Sequence, residues 1–354
     1  MDILRLSVWI ICALPVTLGR MSFSRPSGAF LAGCGLSLSA ALLAWAASSL
    51  PWDRKLQLSP LTLAILAGMA VGNLVPKRFL QDLHPGLRFC QQSLLRLGIV
   101  LYGIRLTVGD LWRLGPRALF LDLIVISTVL MAGYWLGTRI FGLDRDTALL
   151  VSAGSGICGA AAVLATDRVI ECESHKVSVA VGTVVMFGTI AMFLYPSLYP
   201  FSGLSERQFG VYAGATVHEV AQALAAGRAV SQAASDTAVV TKMLRVLMLA
   251  PVLLIISRHR SRSGRSSTSK VKFPWFVFWF GMVILAQSFV SLAPPARTGL
   301  INLDTVILSS AMFALGVATR WQQMKEAGRK PLLLAFVIFV GLVCGGWTIT
   351  RLLV

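Results

Sequence analysis

Charge is scarce in this 354-residue chain: 13% of its residues are Asp, Glu, Lys or Arg, against about 25% in an ordinary soluble domain. Acidic residues are the scarcer sign, 15 against 32 basic ones, with four histidines. The six cysteines stand at 12, 34, 90, 158, 172 and 344 with no CxxC pair, which supports neither a disulfide framework nor a zinc site. Walker, Rossmann and nucleophile-elbow signatures are missing as well, so nothing points to nucleotide-driven pumping, a cofactor or hydrolase chemistry. What fills the chain instead is apolar: 56% of residues are hydrophobic.

Runs of about 17 to 25 apolar residues recur from end to end, which excludes a soluble fold and predicts an all-α polytopic membrane protein. The runs fall near residues 4–19, 28–50, 59–75, 93–112, 116–141, 146–167, 175–195, 206–227, 238–257, 274–292, 302–320 and 331–353. Eleven or twelve crossings follow, according to whether 4–19 spans the membrane or lies at its surface. A removed signal peptide is not expected there. The chain then reads as one transport domain, with peripheral helices over 1–50, a core over 59–257 and 274–353, and a basic loop at 258–273. The net charge of +17 sits in short loops and so argues for membrane orientation rather than nucleic-acid binding. Arg258, Arg260, Arg262, Arg265, Lys270 and Lys272 place their loop in the cytoplasm. Alternation then carries Lys77, Arg78, Arg88, Arg320, Lys325, Arg329 and Lys330 to the same side.

Two internal echoes accompany the topology. Leu101-Tyr102-Gly103 through Gly115 and Arg117 resembles Ala314-Leu315-Gly316 through Gly328 and Lys330, with identical glycine spacing. These two segments run in opposite directions, as in an inverted repeat. Ala153-Gly154-Ser155-Gly156-Ile157 resembles Ala213-Gly214-Ala215-Thr216-Val217. As full crossings this second pair would be parallel, so either one segment is re-entrant or the echo is small-residue packing.

Two stretches carry the candidate chemistry. Ser155, Gly156, Ile157, Cys158, Gly159 and Ala160 lie mid-span, where three clustered glycines weaken a helix by about 1 kcal/mol each. A break at this depth frees N–H groups that can hold an ion. The second stretch runs from Gly214 to Gln222; in it Thr216 is expected to join the first stretch in binding the substrate, and His218, Glu219 and Gln222 stand at a depth where a carboxylate must be paired, neutralised or hydrated. These three are the expected site of a coupling proton or cation. Gln222 at the fifth position of His-Glu-x-x-x rules out the zinc-protease pattern, and no other metal set is expected. Lys242 and Arg245 share one helical face and, with Arg105, are candidates to attract an anion. Asp122 is the expected partner of Arg105, Asp304 is expected to be solvated near a span end, and Cys158 reads as a packing residue as well as part of the broken stretch.

The stretches Gly156-Ile157-Cys158-Gly159-Ala160, Met186-Phe187-Gly188-Thr189, Val217-His218-Glu219-Val220-Ala221-Gln222 and Thr241-Lys242-Met243-Leu244-Arg245 resemble the YeiH family of bacterial inner-membrane proteins, described as sulfate exporters. A more distant likeness to the bile-acid:sodium symporter fold implies inverted five-helix repeats with crossing broken helices. The resemblance implies a secondary transporter, not an enzyme, that exports sulfate or a related sulfur oxyanion by alternating access. A proton- or sodium-coupled carrier of an organic anion is the alternative. The expected partners are the small anion, a coupling proton or sodium ion and the bilayer, with room for a homodimer.

Overall fold

The computed structural model describes residues 28–48, 59–261, 275–289, 293–320 and 328–354. The expected span at 4–19, most of the basic loop and Lys325 lie outside them. The described residues form helices α1 (Gly28–Ala47), α2 (Pro60–Leu74), α3 (Lys77–Phe89), α4 (Leu95–Tyr102), α5 (Val108–Trp135), α6 (Arg145–Gly156), α7 (Ala160–Ile170), α8 (Ser174–Ser202), α9 (Glu206–Thr216), α10 (Val220–Arg228), α11 (Gln232–Leu247), α12 (Leu249–Ser261), α13 (Trp275–Phe289), α14 (Pro294–Ala318) and α15 (Arg329–Leu353). Among them no strand occurs. Among the described residues, six helical stretches are long and apolar enough to cross a bilayer: 28–47, 115–140, 174–202, 232–258, 294–318 and 329–353.

Contacts divide the chain into two units, residues 1–112 with 275–320, and 113–274 with 321–354. In the first, α2 and α14 cross so closely that a side chain at Gly68 or Gly72 would run into the backbone of Phe313 or Val317. This is the small-residue packing by which helices associate where lipid removes the hydrophobic drive. Helix α4 runs antiparallel to α14, with Gly98 against Leu308 and Arg105 against Ile301 and Asp304. That agrees with the opposite directions expected for the first echo. Its second glycines also match in conformation, since Gly115 and Gly328 both take positive φ, 67° and 79°, where a long helix begins.

The second unit overturns part of the expected topology. Segments 146–167 and 206–227 were expected to cross the membrane; each is a helical hairpin whose two ends return to the same side. At the feet of the first, Asp144 before α6 meets Lys176 at the start of α8 at 3.2 Å. Near its tip, Gly154 lies against Val163 across the bend. In the second hairpin Gly210 of α9 and Gly227 of α10 both abut Ala234 at the start of α11, and Ser235 donates to the Leu224 carbonyl at 3.3 Å. The entering helices hold 12 and 11 residues, about 18 Å at 1.5 Å per residue, which reaches the middle of a roughly 30 Å hydrocarbon core and no further.

Both hairpins start from strong caps. Asp144 accepts from the Thr147 N–H at 3.1 Å, and Ser205 with Gln208 forms a capping box, each satisfying donors that a helix start leaves open. Helix α8, 29 residues long, is the post between the hairpins. Its first half lies beside the first hairpin, with Val184 against Gly154. Its second half runs antiparallel to α9, with Tyr195 stacked on Tyr212 at 4.6 Å and Tyr199 edge-on to Phe209 at 5.0 Å. The tips therefore approach from opposite ends of α8 and meet at its middle. Helix α5 and the turn of helix after it flank the first hairpin, Gly133 and Gly137 facing Ser152 and Ala148, and α15 flanks the second, Gly346 facing Thr216 and Tyr212. The second echo is thus a pair of re-entrant hairpins with breaks at 157–159 and 217–219, and the small residues are what let the flanking helices close on them.

Candidate functional site

The first tip turns on Gly159, whose φ of 77° belongs to the region that residues with a Cβ avoid. A Cβ there would also fall 2.5 Å from Cγ of Glu219, so the glycine serves both the turn and the approach of the second tip. The second tip has no glycine. Its extended residues Val217 and Glu219 (ψ of 142° and 154°) are held from outside.

Two buried cations hold the ends of the entering helices. Arg245 donates through Nε, at 3.0 Å, and through Nη2 to the carbonyl of Gly156, the last residue of α6. Lys242 donates through Nζ to the carbonyl of Val217, which ends α9. Both side chains are 0% exposed and, as expected, lie one helical turn apart on α11. A cation at a helix C-terminus neutralises the negative end of its dipole and binds carbonyls that have no partner within the helix. The anion-attracting residues of the sequence reading are thus also the clasps of the two tips.

Glu219 joins the tips. Its Oε1 accepts from the Ala160 N–H, the first amide of α7, at 3.4 Å, while the residue caps α10 in a box with Gln222. Its carboxylate therefore sits at the positive ends of both returning helices. Gln222 is fully buried. Its Oε1 accepts from the Glu219 N–H at 3.2 Å, and its Nε2 donates to the Val185 carbonyl and Thr189 Oγ1 of α8 at 3.4 and 3.3 Å. A side chain on Gly188 would collide with the Gln222 amide, so Gly188 and Thr189 together make the socket for Gln222. His218, also fully buried, has no hydrogen-bond partner on either ring nitrogen and lies 6.5 Å from the Phe339 ring of α15. Thr216 bonds back to the Tyr212 carbonyl at 2.6 Å. Ser155 and Cys158 are buried at the first tip, the Ser155 hydroxyl without a partner.

Three expectations about charge are corrected. Arg105 belongs to the first unit, and its partner is Asp304, not Asp122. Its Nε and Nη2 donate to Asp304 Oδ2 at 3.2 and 3.0 Å, and Nη2 also reaches Thr305 Oγ1 at 2.9 Å. Asp304 is not solvated but 1% exposed, because helix α14 continues well beyond the end expected from hydropathy and buries it. Asp122, fully buried on the inner face of α5, stands 4.0 Å from Arg245 Nη1. Its signal in the sequence was a carboxylate inside an apolar run, with Arg105 as the expected partner. The socket residues Val185 and Thr189 carry no charge, and of the two only Thr189 stood in a motif.

The sequence matches the family model described as Conserved hypothetical protein 698 over residues 32–335. It is 46% identical over 322 residues to the UPF0324 inner membrane protein YeiH of Escherichia coli K12, covering 89% of this chain and 92% of that one. It is 45% identical over 326 residues to the YeiH of Salmonella typhimurium, covering 90% and 93%. Over 331 residues it is 45% identical to the UPF0324 membrane protein PA5383 of Pseudomonas aeruginosa, again covering 90% and 93%. No solved structure matches. A polytopic helical membrane protein whose second unit holds two opposed re-entrant hairpins, this chain belongs to the Conserved hypothetical protein 698 family.

Proposed function

We propose that the chain is a secondary active transporter that exports a small inorganic anion, sulfate or another sulfur oxyanion, across the bacterial inner membrane by alternating access. One observation carries the reading: two helical hairpins enter from opposite ends of α8 and meet tip to tip with Glu219, Lys242 and Arg245 at the junction. Broken helices at membrane depth are tolerated where they line a cavity or are buried in protein, and their ends suit ion binding. Such an arrangement is costly for a protein that only anchors or scaffolds. The N-terminal ends of the returning helices α7 and α10 would favour the anion through their dipoles. Lys242 and Arg245 would supply the positive potential, and His218, Glu219 and Gln222 would handle the coupling proton or cation. With both hairpins re-entrant, a cytoplasmic basic loop at 258–273 puts the feet of the first hairpin on the cytoplasmic side, with Arg168 and Lys176, and those of the second outside.

The test is labelled-sulfate flux in proteoliposomes under imposed pH and sodium gradients, comparing wild type with Glu219→Gln and Lys242→Ala. Gradient-driven flux in wild type is expected to be lost in Glu219→Gln while that variant stays folded. Wild-type pH dependence and full gradient-driven flux in Glu219→Gln would refute the coupling role. Failure of wild type to move sulfate would discard sulfate, and sodium-driven uptake of an organic anion would put the alternative carrier in its place.

A further inference from the structure

We infer that Asp122 is a second proton-binding group, and that its protonation releases the positive charge of Arg245 to attract the transported anion. The inference rests on the anion-transport reading above and adds to it a residue that no tip contains.

Asp122 lies on the buried stripe of α5 formed by Ala118, Asp122, Val125 and Val129, while Leu119, Phe120, Leu123 and Met131 face outward. Neither of its carboxylate oxygens has a hydrogen-bond partner. Its nearest cation is Arg245 Nη1 at 4.0 Å, and that nitrogen is itself without a hydrogen bond. The guanidinium is therefore divided: Nε and Nη2 hold the first tip at Gly156, and Nη1 is turned toward Asp122. The charged groups facing Asp122 are Arg245 and Lys242, both from α11, while Arg245 is faced by the Cys158 thiol of the tip and the Tyr195 phenol of α8.

The junction thus holds two cations, Lys242 and Arg245, and two carboxylates, Glu219 and Asp122. It is balanced as it stands, and a low-dielectric site rejects an added anion unless a positive charge is freed. Glu219 is committed to the amide of Ala160 and to its own cap. Asp122 has no comparable hold: it has no hydrogen bond, and only the charges of Arg245 at 4.0 Å and of Lys242 act on it, so its neutralisation breaks no hydrogen bond. A proton on Asp122 leaves Arg245 uncompensated while its grip on Gly156 is kept, so the tip stays built and gains one net positive charge.

The experiment has two arms. In proteoliposomes with equal pH on both sides, sulfate/sulfate exchange is measured from pH 5.5 to 8.5, a range over which sulfate keeps its charge. In wild type, KM should fall as pH falls, approaching about tenfold per unit, the limit for one linked proton. In Asp122→Asn, KM should be low and flat. The same pH slope in Asp122→Asn as in wild type overturns the assignment. In the second arm, infrared titration of detergent-purified protein should show a protonated-carboxyl component, growing as pH falls, that is missing from the Asp122→Asn spectra and retained in Glu219→Gln. Wild-type and Asp122→Asn titrations that superimpose overturn it independently of any substrate. Lack of wild-type sulfate exchange refutes the sulfate reading alone, and the infrared arm then decides whether Asp122 binds the proton. Should Asp122→Asn fail to fold, Asp122→Glu keeps the carboxyl and must shift both the KM midpoint and the infrared midpoint together; an unshifted pair overturns the proposal.

Discussion

Replacing Arg245 by methionine removes three things at once: two donors to the Gly156 carbonyl, the charge at the end of α6, and the counter-ion of Asp122. Hydrogen bonds from a charged donor are worth about 1.5–3 kcal/mol, and breaking a buried pair by removing one partner costs about 3–5 kcal/mol, because the other charge is left alone. At 4.0 Å and an effective dielectric near 20, the Asp122–Arg245 attraction itself is about 4 kcal/mol. The single variant should therefore lose about 3–5 kcal/mol. The double variant Asp122→Asn/Arg245→Met should recover about 2 kcal/mol or more of that loss, since it buries no orphaned charge. The assay is a double-mutant cycle on thermal unfolding in detergent, read from the melting of the purified protein. A double variant no more stable than Arg245→Met would show that Asp122 does not depend on Arg245, and the charge balance drawn for the junction would fall with it.

Gly159→Ala should be defective both in folding and in transport, because its φ of 77° costs a side-chain-bearing residue about 1–3 kcal/mol and its Cβ would press on Glu219; wild-type melting and flux would refute the described turn. Gly188→Ala should displace the Gln222 amide from Val185 and Thr189 and lower gradient-driven flux more than it lowers melting temperature, whereas equal losses would reduce Gly188 to packing. Asp304→Asn should destabilise by about 1–3 kcal/mol by weakening its clasp on the partly buried Arg105, and unchanged melting would contradict that pairing. At the foot of the first hairpin, partial burial alone would raise the carboxyl of Asp144, but hydrogen bonds from Thr147 and the nearby Lys176 ammonium outweigh it and hold it below the ordinary carboxylate range. A depressed carboxylate stabilises the fold above its unfolded pKa and loses that contribution as pH falls through the folded value. Melts of wild type and Asp144→Asn should therefore differ near neutrality, and the difference should begin to shrink only below about pH 4 and vanish at still lower pH; a difference that persists in strong acid would remove the electrostatic explanation.

The sequence alone determined the solvent and much of the chemistry. A chain with so little charge and such regular apolar runs has no stable alternative to membrane helices, because every backbone polar group in hydrocarbon must be satisfied within the structure. Clustered glycines announced the first break, and a His-Glu pair in an apolar run announced the second. The charges on α11 were visible as two cations one turn apart. Sequence could not decide whether the broken segments cross or turn back, since a hairpin of two 11-residue helices and one crossing of 22 residues have the same hydropathy. That choice belongs to contacts far apart in the chain, Asp144 with Lys176 and both Gly210 and Gly227 with Ala234. Pairing of charges was equally a tertiary matter: Arg105 took Asp304 and Arg245 took Asp122. A buried charge seeks whichever opposite charge the packing brings within reach, and distance along the chain sets no limit on that.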